Sequence, residues 1–250
     1  MVGNLLLRGM LVGVVAGLLA FGFARVFGEP PVAHAIALEE AAGLAKGEAP
    51  EPELVSREMQ AGLGLFTGVV TFGAALGGLF ALVFAFSQGR LTHLSPRATA
   101  GLLALGGFVA LVLVPGLKYP PNPPAVGDPE TIGLRTQLYF AMLVASLVAA
   151  SASVALGRRL HAGLGTWNAV LAGVAAYGLL VVLLQAALPS VNEVPEQFPA
   201  TLLWQFRLAS LGIQAIIWTT LGLLFGYVAE RYLANARPGS ARLTSVAGAR

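Results

Sequence analysis

The chain has 250 residues, of which 56% are hydrophobic and 11% charged, where a soluble domain carries about 25% charged residues. With a mean hydropathy of +0.77, the charged skin is too thin for a water-soluble fold, and disorder, collagen and nucleic-acid binding are excluded as well. The net charge of +3 has no Lys/Arg tract behind it and reads as membrane topology. Cysteine is absent, which removes disulfides, Cys-type zinc sites, iron–sulfur clusters and thiol nucleophiles. No phosphate-cradling glycine loop with a lysine occurs, so ATP hydrolysis is not expected.

Six stretches free of, or closely bounded by, charge define an all-α, polytopic membrane helix bundle. They lie near 5–27, 61–86, 98–117, 137–156, 166–188 and 208–229, each about the 20 residues that cross a ~30 Å hydrocarbon core. Residues 1–236 form one membrane domain, and 237–250 read as a flexible cytoplasmic tail. In the first span Arg8 and Arg25 are placed to snorkel to opposite interfaces. A competing reading makes this span a signal peptide with Ala33-His34-Ala35 as its cleavage site.

The loop after the first span holds Glu29, His34, Glu39 and Glu40, then Glu48, Glu51 and Glu53 among Gly47, Pro50 and Pro52. The latter group reads as a flexible, solvated linker. Carboxylate and imidazole suit borderline divalent ions such as Co, Ni and Zn, which makes Glu29, His34, Glu39, Glu40 and the later Glu193 candidate metal ligands. If the first loop is helical, Glu39 and Glu40 lie about 140° and 120° from His34 around the axis. A site would then need ligands from other loops.

With the N-terminus inside, nine of the fifteen basic residues fall on inner segments, including Arg8, Arg90, Arg97, Arg158, Arg159 and Arg231. Eleven of the twelve acids fall outside; Glu230 is the exception. The arrangement follows the positive-inside rule and gives three hairpins closed on the outer side, both termini cytoplasmic, in a plasma (inner) membrane. His93 and His161 read as inner interfacial residues. Each outer loop bears proline and is followed by an arginine near the returning helix: Arg57, Arg135 and Arg207. A cation at a helix N-terminus opposes the macrodipole, so pairing with Glu58, Glu130, Glu193 or Glu196 is expected. Leu113-Val114-Pro115 and Ala187-Leu188-Pro189 end two spans alike, either as an internal repeat or because proline ends helices generally.

Gly64 and Gly68, Gly73 and Gly77, and Gly222 and Gly226 are spaced for close helix approach. Tyr119, Trp167, Trp204 and Tyr232 fall near span ends as interfacial aromatics. Gln185 and Gln214 are the most buried-looking amides, with Thr67, Thr71 and Thr219 the other polar groups inside the spans. The absence of a mid-membrane carboxylate counts against an autonomous proton-coupled pump.

The passage Leu113-Val114-Pro115-Gly116-Leu117-Lys118-Tyr119-Pro120-Pro121-Asn122-Pro123-Pro124-Ala125-Val126-Gly127-Asp128-Pro129-Glu130-Thr131 closely resembles the CbtA family of probable cobalt-transporter subunits. So do Val55-Ser56-Arg57-Glu58-Met59-Gln60, Asn192-Glu193-Val194-Pro195, Phe198-Pro199-Ala200 and Phe206-Arg207-Leu208-Ala209-Ser210. The resemblance implies a multi-pass permease subunit for cobalt uptake linked to cobalamin supply, with cobalt as substrate and no permanently bound cofactor. It also implies a small, single-span, histidine-bearing CbtB-like partner. Family members often carry several histidines in the first outer loop. Here His34 alone remains, which leaves imidazoles to the partner. Lys118, Asn122, Asp128, Glu130, Arg135, Asn192 and Arg207 then form the outer-loop motif around a cation mouth. The other readings the residues allow are an integral membrane enzyme using Glu193 or Glu39 at the outer face, and an assembly scaffold with no pathway.

Overall fold

A computed structural model describes residues 2–47, 54–90, 94–128 and 130–236. The expectations for Glu48, Glu51, Glu53, His93 and the tail 237–250 fall outside the described residues. Within them the chain is all-helical, with five helices long and apolar enough to cross a bilayer: α1 Val2–Ala45, α2 Arg57–Ser87, α3 Pro96–Lys118, α4 Ile132–Ala187 and α5 Ala200–Asn235. Helices suit lipid because each satisfies its own backbone polar groups.

Four of the helices contain a five-residue π turn: 24–28 in α1, 60–64 in α2, 109–113 in α3 and 221–225 in α5. Two of these explain how a helix passes through proline. In α1 the Glu29 N–H reaches the Ala24 carbonyl, five residues back, immediately before Pro30 and Pro31. In α3 the Val114 N–H reaches Val109 in the same way, immediately before Pro115. Proline removes an N–H and crowds the preceding turn, and the wider π turn makes room for the ring without ending the helix. Hence α1 continues past Phe27 to Ala45, where a loop was expected, and Ala33-His34-Ala35 lie inside it. Pro115 likewise does not end its span; α3 runs on to Lys118.

The expected inner loop over 157–165 is a correction of another kind. The chain remains helical through it, and the reversal is confined to Gly165, whose φ of 72° and ψ of 171° are non-helical. This backbone conformation is essentially glycine's own. On either side α4 folds back on itself. A Cβ on Gly157 would lie 3.2 Å from the Ala169 carbonyl, and one on Gly173 would lie 3.1 Å from that of Ser153. Farther along, the Ser146 and Tyr177 hydroxyls are 2.9 Å apart. His161, expected at an interface, has Nε2 3.0 Å from the Thr166 hydroxyl across the bend.

The described residues divide into two compact units. Among them, one draws on 2–19, 67–105 and 216–236, the other on 20–66 and 106–215. In the first unit, α1 and α2 meet through glycines. A Cβ on Gly13 would collide with the Gly73 carbonyl oxygen, one on Gly9 with that of Gly77, and one on Gly17 would lie 2.7 Å from the Val70 Cα. Small residues at four-residue spacing share a face, and in lipid such backbone approach supplies the packing that hydrophobic burial cannot. Gly222 and Gly226 do the same against Ala104 and Arg97 of α3. Gly64, in the second unit, meets nothing beyond its own helix turn, and Gly68 has open space. Phe80 and Phe84 of α2 stack edge-on against Phe225 of α5 at 5.4 and 5.1 Å. In the second unit, Val114, Tyr119 and Met142 form a buried cluster against both arms of α4.

Candidate functional site

In the second unit the segments following α3 and α4 are bonded into one cluster. It begins at the end of α3, where the Lys118 ammonium donates to the Gln185 carbonyl at 2.7 Å and to the Ser190 hydroxyl at 3.1 Å. The Gln185 amide returns a bond to the Val114 carbonyl at 3.2 Å. The last carbonyls of a helix lack partners and carry partial negative charge, and that of Gln185 has no i+4 donor because residue 189 is proline, so Lys118 supplies what the end of α4 needs. Next to Lys118, the Tyr119 hydroxyl donates to the Pro189 carbonyl at 2.7 Å. Burial raises the pKa of this phenol and keeps it a neutral donor. Tyr119 is therefore a packed residue, 4% exposed, whereas Trp167 and Trp204, the tryptophans near span ends, are 73% and 63% exposed.

Glu193 anchors the second part. Its side chain is 4% exposed; one carboxylate oxygen lies 2.6 Å from an Arg135 nitrogen and the other accepts from the Thr131 hydroxyl. The Thr131 bond, helped by Arg135, holds the Glu193 carboxyl below the ordinary carboxylate value, against the upward push of burial. Asp128 organises the turn before them: its Oδ1 accepts from the Glu130 N–H at 2.9 Å, and its carbonyl accepts the Thr131 and Ile132 N–H groups.

Arg207 completes the cluster. It donates to the Pro121 carbonyl at 3.3 Å and to Asn122 Oδ1 at 2.9 Å. The expectation of a carboxylate partner is corrected here, and so is its position: α5 begins at Ala200, so Arg207 lies in the third turn, away from the positive end of the dipole. Arg57 also pairs differently, with Glu29 across the first loop rather than with Glu58 beside it. Only the Arg135 and Glu193 pairing falls among those expected from the sequence.

The metal candidates are dispersed. His34, Glu39 and Glu40 are exposed on α1, which is helical there, so the angular separation derived from spacing applies. Glu29 is engaged by Arg57 and Glu193 by Arg135 and Thr131. Among the described residues no three of His, Asp and Glu stand close enough to hold an ion together. Of the outer-loop motif, Lys118, Asn122, Asp128, Arg135 and Arg207 have their polar groups committed to the cluster. Asn192 is exposed, its Oδ1 3.4 Å from the Val194 N–H, and the Glu130 side chain is exposed. Sequence reasoning missed Thr131 and Ser190. Neither had a local signal for its role, because their partners are distant in sequence: Glu193 lies 62 residues from Thr131, and Lys118 lies 72 from Ser190.

No protein of curated function and no solved structure matches the chain. A family model described as probable cobalt transporter subunit (CbtA) matches residues 2–230, a range that takes in α1 to α4, most of α5 and every residue of the bonded cluster. By that match, over nearly its whole length, the chain belongs to the CbtA family.

Proposed function

We propose that the chain is the membrane permease subunit of a cobalt importer that feeds cobalamin supply. In this reading α4 crosses the bilayer twice, once on each side of Gly165, so that five helices make six crossings with both termini cytoplasmic in the plasma membrane. A small single-span CbtB-like subunit completes the transporter, in keeping with a family whose description speaks of a subunit.

The observation that supports this best is the way the cluster disposes of its positive charge. Fixed cations at the mouth of a cation pathway would repel the substrate. Here Arg135 is neutralised by Glu193, Arg57 by Glu29, and Lys118 rests on the negative end of α4, while Arg207 keeps its charge, held by the neutral oxygens of Pro121 and Asn122. Glu39, Glu40, Glu58, Asp128, Glu130 and Glu196 stay exposed, and an excess of carboxylate raises the local concentration of a divalent cation. In this reading His34, Glu39 and Glu40 meet the ion first, while Glu29 and Glu193 hold the loops and become ligands only if their arginines move away.

Radiolabelled cobalt uptake, in cells lacking other cobalt importers and supplied with this chain, its CbtB-like partner, or both, tests the proposal. Uptake that rises only with this chain present is expected. Uptake that does not change with the chain removes the transport reading.

A further inference from the structure

The first unit contains, among the described residues, four arginines and one carboxylate: Arg8, Arg90, Arg97, Arg231 and Glu230. Each of the four guanidinium groups lies over an aromatic ring. Arg8 is 4.7 Å from the centre of Tyr232, Arg90 is 5.5 Å from Phe86, and Arg97 and Arg231 are 5.1 and 4.7 Å from the one ring of Tyr227. An arginine stacked on a ring keeps its charge and the in-plane N–H groups that form a fork for oxyanions. Such stacking also fixes the group in advance, which lowers the entropic cost of binding.

The Tyr227 site is the best developed. Arg97, in the first turn of α3, spends its Nε on Glu230 at 2.5 Å, yet its side chain remains 55% exposed. Arg231 is exposed and has no carboxylate partner among the described residues. Tyr227 itself is 38% exposed and lies one turn after Leu223 of α5, which shares its face and is 70% exposed. A lipid tail can therefore lie along α5 while its headgroup meets the two guanidinium groups. Two cations against one carboxylate leave one positive charge, enough for a phosphodiester monoanion.

We propose that Arg97, Tyr227 and Arg231 form a binding site for the phosphate of an anionic phospholipid headgroup. It is separate from the cation chemistry of the outer loops and independent of the transport reading. Arginine near a bilayer surface attracts anionic lipid, and the ring converts that general attraction into a fixed geometry.

The test presents the purified full-length protein in detergent with equimolar phosphatidylglycerol and phosphatidylcholine of matched acyl chains, and reads the retained lipids by native mass spectrometry. Preferential retention of phosphatidylglycerol is expected. Arg231→Gln should weaken the preference about fivefold, the effect of one arginine at an anionic surface, whereas Arg159→Gln, exposed on α4, should leave it unchanged. Equal retention of the two lipids, a preference that survives Arg231→Gln, or one lost equally with Arg159→Gln overturns the site. Tyr227→Leu keeps both charges and removes the ring; full preference in that variant overturns the stacking geometry. Inorganic phosphate that displaces the lipid at equal concentration would assign the site to a free anion and overturn the lipid assignment. Thermal unfolding of each variant verifies that it is folded.

Discussion

Lys118 and Gln185 lie 67 residues apart in sequence, and the ammonium of one caps the carbonyl of the other at 2.7 Å. Because the Gln185 side chain also bonds the Val114 carbonyl, the C-termini of α3 and α4 are tied together from both sides. Lys118→Met leaves the Gln185 carbonyl without a charged donor and is expected to cost about 1.5–3 kcal/mol. Gln185→Leu keeps that carbonyl and removes one neutral bond to the Val114 carbonyl, which still has its helical partner, at about 0.5–1.5 kcal/mol. The two should couple in the double mutant, where additivity within about 0.5 kcal/mol would show independent caps. Thermal unfolding of the purified protein measures all three.

Glu193 gives the outer cluster an acid limit. Its pKa is below the ordinary 4.5, through Thr131 first and Arg135 with it. A carboxylate whose pKa is depressed on folding contributes stability that is fully present above the unfolded value and lost as pH falls through the folded one. From neutral pH down to about 4.5 the clamp should therefore hold, and below that it should loosen. Glu193→Gln should remove this dependence and lower stability at neutral pH by about 1.5–3 kcal/mol, the range for hydrogen bonds to a charged group. An acid limb that Glu193→Gln leaves unchanged would place the titration elsewhere.

Much of the fold could be read from composition and spacing, because a charge in hydrocarbon is costly enough to mark the spans. What could not be read is where helices end. Pro30, Pro31 and Pro115 are ordinary stop signals, and the π turns that carry α1 and α3 past them depend on hydrogen bonds five residues long, which no residue pattern announces. The α1 and α2 contact shows the same limit. Gly73 and Gly77 were evident as a pair, but their partners Gly9 and Gly13 were identifiable only once the two helices stood side by side. In the site, Arg135 and Glu193 were legible as opposite charges in adjoining loops. Lys118 was not, since its partners are a backbone carbonyl and a hydroxyl, groups with no sequence signature.

That glycine contact gives a sharp pair of substitutions. Gly13→Ala places a methyl group against the Gly73 carbonyl, and neither backbone can yield without moving a whole helix. A loss of at least the 1–3 kcal/mol typical of overpacking is expected. Gly68→Ala, where the added Cβ meets nothing within 4 Å, should be neutral or gain up to about 1 kcal/mol from helix propensity. Equal unfolding temperatures for the two variants would show that α1 and α2 do not pack this way.

Gly165 tests whether α4 makes one crossing or two. A residue with a Cβ is strained at φ 72° and ψ 171°, by about 1–3 kcal/mol, so Gly165→Ala should loosen the bend without touching the outer cluster. The absence of native cysteine allows the topology to be measured directly with single cysteines and an impermeant thiol reagent on intact cells. Gly163, beside the bend, has open space around it and accepts a cysteine. For the other face, Glu130 and Asn192 are exposed, whereas Gly127, at φ 147° and with its would-be Cβ 3.6 Å from a Glu193 oxygen, does not suit. Two crossings by α4 place Glu130 and Asn192 on the outside and Gly163 inside, so cysteines at the first two should label on intact cells and one at Gly163 only after the membrane is opened. Labelling of Gly163 from outside while Glu130 and Asn192 are protected would invert the orientation. Labelling at Glu130 and Gly163 with protection at Asn192 would leave α4 a single crossing, and with it the six-crossing permease would fall.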